Sequence, residues 1–372
     1  MSENKEPLNK NNKVPKLRFD CDTNEWKCCS FSDATLLSKK KYNPTTSDKD
    51  LIDIELDSIE SGTGRLINKY SSKEMSSIKN AFTSNEVLYS KLRPYLRKFY
   101  KPTFSGVCSS EFWVFSPKKI TQSFLYHFIS TNRFNIQTNK TCGTKMPRAD
   151  WNKIKKLDFY YPNNETQDKI SAFLDAIDKK IELLMLKIEA LKKYKKGLIK
   201  FLSKESAQFI KIKDIVDICD KTGLQSSNGK DIGKYVFFIN STNDEFKRTD
   251  TYTFDGEHLV LNTGGQAFTS YINGKFSAMS DCLILKPKRN AMSLYVWLKS
   301  NEEKINAIGF QGTGLKHLDQ SWLFRQNITL SKFSEEILFN LMGATNILIE
   351  KQKIRLDILC SVKQYLLSNL FI

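Results

Sequence analysis

An internal repeat limits the possible folds of this chain more than any other feature of its sequence. Segments 108–115 ("CSSEFWVF") and 142–150 ("CGTKMPRAD") align with segments 279–285 ("MSDCLIL") and 311–319 ("QGTGLKHLD"). The longest match pairs residues 169–202 with residues 337–370. These matches keep one order and an offset of 168–171 residues, so the sequence predicts two copies of one structural plan.

The segment that ends each copy has the heptad pattern of a long helix. Apolar residues recur there at alternating steps of four and three, which places them on one helix face. One such stripe cannot bury itself, so we expect the two helices to pack on each other; packing of each stripe on its own globular domain is the alternative. Thr345, Gln352 and Lys363 interrupt the second stripe. The predicted seam residues are Ile170, Leu174, Ile177, Ile181, Leu184, Ile188 and Leu191 in the first helix and Leu338, Met342, Ile349, Leu356 and Leu359 in the second.

The regions outside the helices contain short β-rich runs such as "FWVF", "KYVFFI" and "CLILKP", which turn sequences separate. We therefore predict an α+β fold in which two tandem globular α/β domains with β-sheets alternate with two long α-helices. The predicted segments are a disordered N-terminal lead at 1–13, a first domain at 14–164, a central helix at 165–204, a second domain at 205–332 and a C-terminal helix at 333–372.

The chain is strongly basic, with 58 Lys and Arg residues against 41 Asp and Glu residues and a net charge of +17. Such an excess favours a polyanionic partner, either nucleic acid or an acidic membrane surface. Residues 1–164 hold 28 basic and 17 acidic residues, so the excess is concentrated in the first copy. No uninterrupted apolar run reaches the ~18 residues that a membrane span needs.

The sequence contains no catalytic motif that we recognise. It lacks the phosphate-binding loop of nucleotide hydrolases and the Asn/Asp-Pro-Pro-aromatic motif of amino-methyltransferases. The eight cysteines form no C-x-x-C pair and there are three histidines, so no metal site is expected, and scattered cysteines without a secretory signal predict a reducing cytoplasm. His127, within "FLYHFI", is expected in the core. The alternatives left open are a diverged nuclease or methyltransferase and a coiled-coil adaptor that binds only protein.

Several segments resemble the specificity, or DNA-recognition, subunits of type I restriction–modification systems. They are "VPKLRF…EWKCCSFSDA" near the start, "LYSKLRPYLRK" at 88–98 and "YYPNNETQDKISAFLDAIDKKI" at the first long helix. The likeness covers residues 14–372, although the second helix lacks the Pro-x-x-x-(Glu/Thr)-Gln start of the first, which leaves its first residue open. The resemblance implies a chain without an active site, in which two target-recognition domains each read one half of a split DNA site. It also implies that the helices form an antiparallel coiled coil and that the molecule is pseudo-two-fold.

The same resemblance implies the partners. The coil, with the seam residues as its partner-binding part, would set the spacing of the half-sites and dock modification (methyltransferase) subunits, two per complex. Those subunits would bind S-adenosylmethionine and methylate adenine, and restriction subunits would use ATP and Mg²⁺ to translocate and cut double-stranded DNA. No cofactor is implied for this chain itself. A helix of 34 residues is ~50 Å long at ~1.5 Å per residue, the length of ~15 base pairs.

The basic and aromatic stretch at 88–98 is the first candidate for DNA contact, because Arg and Lys suit phosphate oxygens and Arg also suits a guanine edge. A strand end with a solvated basic edge is the alternative. The second copy reads "LVLNTGGQAFT" at the same place, where Gln266 is a candidate to read adenine. Paired loops at 144–148 and 313–317 are the next candidates. The predicted DNA-binding residues are Lys91, Arg93, Tyr95, Arg97, Lys98, Thr144, Lys145 and Arg148 in the first copy and Gln266, Thr313, Lys316 and His317 in the second.

Overall fold

The computed structural model describes residues 14–19, 25–140, 145–204, 206–241 and 246–372. The predicted lead at 1–13 lies outside the described residues. The chain divides into two compact units. Unit 1 comprises residues 1–184 and 355–372, and unit 2 comprises residues 185–354.

The globular part of unit 1 is rich in short strands. They are β1 (Lys27–Ser30), β2 (Thr35–Leu37), β3 (Lys41–Tyr42), β4 (Ile52–Ile54), β5 (Tyr70–Ser71), β6 (Lys79–Phe82), β7 (Val87–Ser90), β8 (Phe99–Tyr100), β9 (Gly106–Cys108), β10 (Phe112–Pro117) and β11 (Asp158–Tyr161). The helices are α1 (Phe31–Ala34), α2 (Gln122–Ile129), α3 (Asn132–Thr138), α4 (Trp151–Ile154) and the long α5 (Asn164–Lys204), which continues into unit 2. Short 3₁₀ turns occur at Leu56–Ser58, Ser72–Glu74 and Pro94–Leu96. The strands form sheets of order β2-β10-β7-β8 and β3-β6-β9-β4-β5 and a β1–β11 pair.

Unit 2 contains the same kinds of elements, short strands and helices together with one long helix. Its strands are β12 (Ser206–Lys211), β13 (Val216–Ile218), β14 (Tyr235–Phe238), β15 (Lys247–Thr249), β16 (Glu257–Asn262), β17 (Thr269–Asn273), β18 (Phe276–Ala278), β19 (Cys282–Pro287), β20 (Phe310–Gln311), β21 (His317–Leu318) and β22 (Asn327–Ser331). The helices are α6 (Ile212–Ile215), α7 (Ala291–Ser300), α8 (Glu302–Lys304), α9 (Gln320–Phe324) and the long α10 (Glu335–Leu370), which continues into unit 1. A 3₁₀ turn lies at Ser226–Asn228 and a π-helical turn at Ile305–Gly309. The sheets have the orders β13-β19-β16-β17, β15-β14-β18, β20-β21 and β12-β22.

The two copies share their sheet topology. The order β2-β10-β7-β8 in unit 1 corresponds, strand for strand along the chain, to β13-β19-β16-β17 in unit 2. The repeated segments at 108–115 and 279–285 lead into β10 and β19, the equivalent inner strands of these sheets. The predicted α+β fold with two tandem copies and two long helices is therefore confirmed.

The long helices pack against each other within each unit. In unit 1 the first turns of α5 share a core with the last turns of α10, through Ile170, Leu174, Ile177, Leu367 and Leu370. In unit 2 the last turns of α5 share a core with the first turns of α10, through Ile199, Leu202, Leu338 and Met342. The two helices therefore run antiparallel. The same cores include domain residues such as Phe124 and Leu294, so both predicted ways of burying the stripe are used near the helix ends.

The polar interruptions of the second stripe occupy seam positions. Thr345, Gln352 and Lys363 are 6%, 3% and 7% exposed, as buried as their apolar neighbours. Thr345 donates its hydroxyl to the carbonyl oxygens of Leu341 and Met342 in the preceding turn. Lys363 forms an ion pair with Asp178 of α5. A buried polar side chain costs free energy unless it has a hydrogen-bonding or charged partner. The contacts described give such partners to Thr345 and Lys363.

The first turn of each long helix holds the N-terminus of a domain helix. The Gln167 side-chain oxygen accepts a hydrogen bond from the backbone N–H of Thr121, the residue before α2, at 2.8 Å. In unit 2 the Glu335 carboxylate accepts from the backbone N–H groups of Met292 and Ser293 in the first turn of α7, at 2.7 and 3.1 Å. The start of α10 at Glu335, which the sequence left open, thus lies one repeat offset from Gln167 and serves the same purpose. These contacts satisfy N–H groups that a helix start leaves without intrahelical partners.

Candidate nucleic-acid interface

Unit 1 brings together two stretches that the sequence predicts to contact DNA. The 91–98 stretch forms the connection between β7 and β8, and it pairs with the segment that follows residue 145. The Arg93 N–H donates to the carbonyl oxygen of Pro147, and the Ala149 N–H donates to that of Lys91, both at 2.8 Å. An isolated bridge joins Leu92 to Arg148. Side chains from both stretches therefore share one surface.

The backbone of this connection is unusual. Arg93 and Arg97 have φ values of 49° and 50°, in the left-handed region that non-glycine residues seldom adopt. They flank the turn Pro94–Leu96, whose proline fixes its own φ. Strained backbone of this kind persists where surrounding contacts hold it, and it is often found at functional loops.

Two of the five candidate side chains in this stretch are used inside the chain. The Arg97 guanidinium donates to the carbonyl oxygen of Ser130 at 2.7 Å and to Oδ1 of Asn132 at 3.3 Å, which connects the loop to the turn between α2 and α3. The Lys98 ammonium donates to the carbonyl oxygen of Leu56 at 2.5 Å. These bonds give both residues a structural task, whatever they contact outside the protein.

The other side chains of the stretch are available to a ligand. Arg93 and Tyr95 are exposed and Lys91 is half-buried. Among the described residues, none accepts a hydrogen bond or forms an ion pair with the side chains of Lys91 or Arg93. The residues of this stretch that remain the best candidates for contact with DNA are therefore Lys91, Arg93 and Tyr95.

The second loop of unit 1 is only partly described. Thr144 lies outside the described residues, whereas Lys145 is exposed. Arg148 is also exposed, but its guanidinium makes two hydrogen bonds of 3.1 Å to the Glu111 carboxylate. That carboxylate offsets the positive charge of Arg148. Arg148 is therefore a weaker candidate for a phosphate contact than Lys145.

Unit 2 brings its candidate residues together in the same way. An isolated bridge joins Gly264 to His317, and the Gly265 N–H donates to the carbonyl oxygen of Lys316 at 2.9 Å. Gly265 has a φ of 76°, a conformation that favours glycine, and it precedes the exposed Gln266. Thr313, Lys316 and His317 are exposed in the facing loop. The bridges Leu92–Arg148 and Gly264–His317 occupy corresponding places in the repeat, so each copy builds its candidate surface from the same two loops.

A polar cluster in unit 1 is the nearest approach to a metal site among the described residues. Ligand atoms of His127, Asp175 and Asp178 lie within 4.8 Å of one another. Lys101 already pairs with Asp175 at 2.7 Å, and Lys363 pairs with Asp178. The two ammonium groups supply the positive charge that a metal ion would bring, so this donor set fits a structural ion-pair network.

Protonation in this cluster follows from burial and hydrogen bonding. Burial lowers the pKa of His127, which is fully buried in α2 as predicted, although its bond to Asp175 opposes the shift. Burial alone would raise the pKa of Asp175, but hydrogen bonds from His127, Lys101 and Ser123 outweigh it and hold that pKa well below its usual range. The folded state holds His127 neutral and Asp175 ionised, so the unfolded chain binds protons more readily at both groups. The folded state is therefore more stable at neutral pH than in acid.

The described residues of the candidate surfaces hold no arrangement of nucleophile and base that we recognise. Among the residues described, no helix is long and apolar enough to cross a membrane.

Comparisons with known proteins point in one direction. The model of the family described as "Type I restriction modification DNA specificity domain" matches residues 4–193 and 204–364. The chain is 25% identical over 178 residues to the type I restriction enzyme EcoDI specificity subunit of Escherichia coli, and 29% identical over 160 residues to a protein of Mycoplasma pneumoniae named as a type I specificity subunit. These alignments cover 45% and 38% of this chain, but only 40% and 58% of the length of the two relatives.

Solved structures agree with these sequences in fold. A type I restriction–modification S subunit from M. genitalium superposes with a TM-score of 0.63 and 14% identity, covering 96% of this chain and 99% of that one. A chain from a study of complex assembly and conformational transition of the type I R-M system gives a TM-score of 0.58 and 16% identity, covering 93% and 97%. At such identities the likeness concerns the fold alone.

Proposed function

The chain belongs to the family of type I restriction modification DNA specificity domains, and we propose that it is the non-catalytic DNA-recognition subunit of a type I restriction–modification complex. Each globular copy would read one half of a split DNA site. The observation that carries the proposal is the repeated loop pair, joined at Leu92–Arg148 in unit 1 and at Gly264–His317 in unit 2. Each pair presents exposed polar or basic side chains just after a sheet strand, β7 or β16, which suits base and phosphate contacts.

The copies present different chemistry, so their half-sites should differ. Arg93 in unit 1 suits a guanine edge or a phosphate, whereas Gln266 in unit 2 suits adenine. A repeated reader with paired antiparallel helices suits two half-sites on one duplex. The coil would set their spacing, because the length of a helix is fixed by its residue count.

The surface that would bind protein partners differs from the predicted seam. Seam residues such as Leu174 and Leu338 are fully buried inside the chain, so they stabilise the packing of the two helices and are not accessible to another protein. Outside the seam, α10 carries a second set of large apolar side chains that are 38–68% exposed, which we call the outer row. Among them are Ile337, Leu341, Ile347, Leu348 and Ile354 in unit 2 and Ile358, Val362 and Tyr365 in unit 1. Groups of exposed apolar side chains often mark protein contact sites. We assign this outer row to the modification subunits, two per complex, which would carry S-adenosylmethionine; restriction subunits would carry ATP and Mg²⁺.

Co-expression tests recognition and docking together. With the modification subunits of its own cell, the chain should co-purify as a complex and direct adenine methylation to one two-part motif, mapped across a genome. The double variant Ile347→Asp/Ile354→Asp places two carboxylates on the outer row, and we expect it to lose co-purification and methylation together, by at least ~10-fold. Gln364→Asp, an exposed polar position of the same helix, is the matched control and should retain both.

The rival functions give different results in this experiment. A self-contained nuclease or methyltransferase would cut DNA or transfer methyl groups when the purified chain alone meets DNA, Mg²⁺ and S-adenosylmethionine. A protein-only adaptor would co-purify with its partners but would impose no motif on the methylated adenines. Either result would overturn the proposal.

Arg93 provides a sharper test of the first loop. In the assembled complex, Arg93→Ala should weaken DNA binding without affecting assembly, because the side chain is exposed and has no partner among the described residues. A phosphate contact predicts equal weakening on all sequences and a salt slope smaller by about one, whereas a base contact predicts relaxed preference at one position by ~1–3 kcal/mol. Arg93→Lys keeps the charge and should rescue only the phosphate case.

Arg97→Ala is the control for loss of an arginine in the same loop. Its guanidinium holds Ser130 and Asn132, so this variant should lower the stability of the first domain as well. If Arg93→Ala leaves affinity, salt slope and base preference unchanged, the exposed part of this loop is not a DNA contact.

A further inference from the structure

Unit 2 contains a cleft of about 850 Å³ beside the second half of α5. Its other walls are the loop at 266–268, the helical segment at 299–306 and residues 349 and 353 of α10. This volume lies in the range of clefts that hold ligands. The charged lining residues are Lys192, Lys195, Lys196, Lys200, Lys299, Lys353, Glu302 and Glu303.

The cleft is electropositive. Six lysines and two glutamates among its described lining residues leave a charge of +4, although Lys353 also pairs at 2.7 Å with Glu350, which lies outside the lining. Glu302 offsets the charge of Lys299, because the two side chains pair at 2.8 Å, and the Lys299 ammonium also lies 4.0 Å from the centre of the Phe268 ring. Lys196 pairs with Glu303 at 3.1 Å, but both side chains are more than 80% exposed, so that pair is weak. Lys192 and Lys200 form no ion pair with a described residue. Like charges gathered in a concave site repel one another, which favours an anionic occupant.

Three of these lysines form a regular row. Lys192, Lys196 and Lys200 are four residues apart on α5, so they lie on one face at intervals of ~6 Å and span ~12 Å. One DNA strand advances ~3.4 Å per nucleotide, so the row is as long as a backbone segment of three to four nucleotides.

The cleft is continuous with the candidate base-reading loop. Gln266 lines it, and the same loop pairs with the segment that carries Lys316 and His317. The loop is held in place, because the Ala267 N–H donates to Oδ1 of Asn306 at 2.5 Å and the Thr269 N–H donates to the Glu302 carboxylate at 2.9 Å. A strand whose base met Gln266 would thus pass directly beside the lysine row.

We infer that this cleft binds the sugar–phosphate backbone of one DNA strand, with Lys192, Lys196 and Lys200 as the phosphate-contacting residues. The inference rests on the proposed function. The cleft is too small for a duplex, so one strand enters it while the rest of the duplex remains outside. An acidic protein segment would also suit the charge, but it would not explain the continuity with Gln266 or the regular spacing of the row.

The test measures DNA binding by the assembled complex of this chain with its modification subunits. In the triple variant Lys192→Gln/Lys196→Gln/Lys200→Gln, the affinity for DNA at about 0.1 M salt should fall on the order of 100-fold. The fall should be equal for a duplex that carries the recognised motif and for a duplex of scrambled sequence. The slope of log K against log salt should become smaller by about three. Lys179→Gln/Lys180→Gln/Lys193→Gln removes the same charge from exposed positions of α5 outside the cleft and should change the slope by less than one. Lysine-to-arginine replacement of the cleft row should restore the wild-type slope.

The outcomes separate this inference from the proposed function. A wild-type complex that binds its motif, with a cleft variant of unchanged slope, overturns the inference and leaves the function intact. Loss of assembly in the cleft variant, with restoration by arginine, would identify the occupant as an acidic protein segment and also overturn the inference. A wild-type complex without motif preference overturns the proposed function itself.

Discussion

Lys79→Ala should destabilise the first domain by ~3–5 kcal/mol, the loss expected when one partner of a buried ion pair is removed. Lys79 on β6 is 3% exposed and pairs at 2.8 Å with Asp53 on β4, which is fully buried. It also bonds to Glu55, which is 25% exposed. Both strands flank β9, so the variant would leave a charged carboxylate inside the sheet without its cation.

The pKa shifts of this pair predict how the loss varies with pH. Burial raises the pKa of Asp53 despite the attraction of Lys79. Without Lys79 that pKa should rise further, so acid can neutralise the carboxylate in the folded state more readily than in the unfolded chain. A raised carboxyl pKa gives a penalty that grows as pH rises above ~3.9, the unfolded value, and levels off above the folded value. The deficit of Lys79→Ala should therefore be largest near neutral pH and should shrink in acid.

Urea denaturation of the full chain would measure the loss of unfolding free energy. Hydrogen exchange of the backbone amides at 79–82 and 106–108 would show whether that loss is located around Lys79. Lys179→Ala is the matched control: its ion pair with Glu182 is more than half exposed on both sides, so we expect less than ~0.5 kcal/mol. The double variant Lys79→Met/Asp53→Asn removes both charges and should recover most of the stability. A loss below ~1 kcal/mol in Lys79→Ala would mean that water or a neighbouring cation compensates Asp53.

Periodicity gave the helices and their seam, because a heptad pattern depends only on residue type and spacing. It located Thr345, Gln352 and Lys363 in the seam correctly, although nothing in the pattern shows which partners make them acceptable there. The Asp178–Lys363 pair joins residues far apart in the sequence, and neither residue is unusual for a solvated helix face. Contacts of this kind depend on which faces the tertiary structure brings together.

The sequence indicated the loops that form the candidate DNA surface, but not which of their side chains have partners within the chain. The sequence indicated the stretch at 88–98, and the structure shows that Arg97 and Lys98 reach carbonyl oxygens of Ser130 and Leu56. Basic composition cannot distinguish such bonds from free side chains. The lysine row of α5 was visible as a charge run, but its cleft exists only because the loop at Gln266 lies beside that helix. A further clue was available: Gln167 and Glu335 stand one repeat offset apart, and polar residues with that spacing can share a capping task.

Exchange of the second domain should change one half of the recognised motif and leave the other half intact. The segment 205–332 suits such an exchange because its ends meet: β12 and β22 pair antiparallel, with Ile210 opposite Ile328 and Lys211 opposite Asn327. A foreign segment therefore enters and leaves the chain at one place. The domain boundaries themselves remain a prediction, and a folded, active exchange would support them.

The exchanged domain must still dock on α10, and the structure indicates that it can. Glu335 binds backbone N–H groups at the start of α7, which any donor sequence with a helix there provides. The apolar contact is more demanding, since Leu338 and Met342 share a core with Leu294 and Leu298 of α7, so the donor should keep aliphatic residues at those two places.

Genome-wide mapping of methylated adenine in cells that express the exchanged chain and the modification subunits should then show a hybrid motif. The half read by residues 14–164 should stay unchanged, because the β1–β11 pair closes that domain independently and none of its candidate residues is replaced. The reciprocal exchange of 14–164 is the control and should alter the other half only. A change in both halves after one exchange would show that the copies do not read independently. An unchanged motif in an active complex would show that the second domain, including Gln266 and the loop of His317, does not read bases.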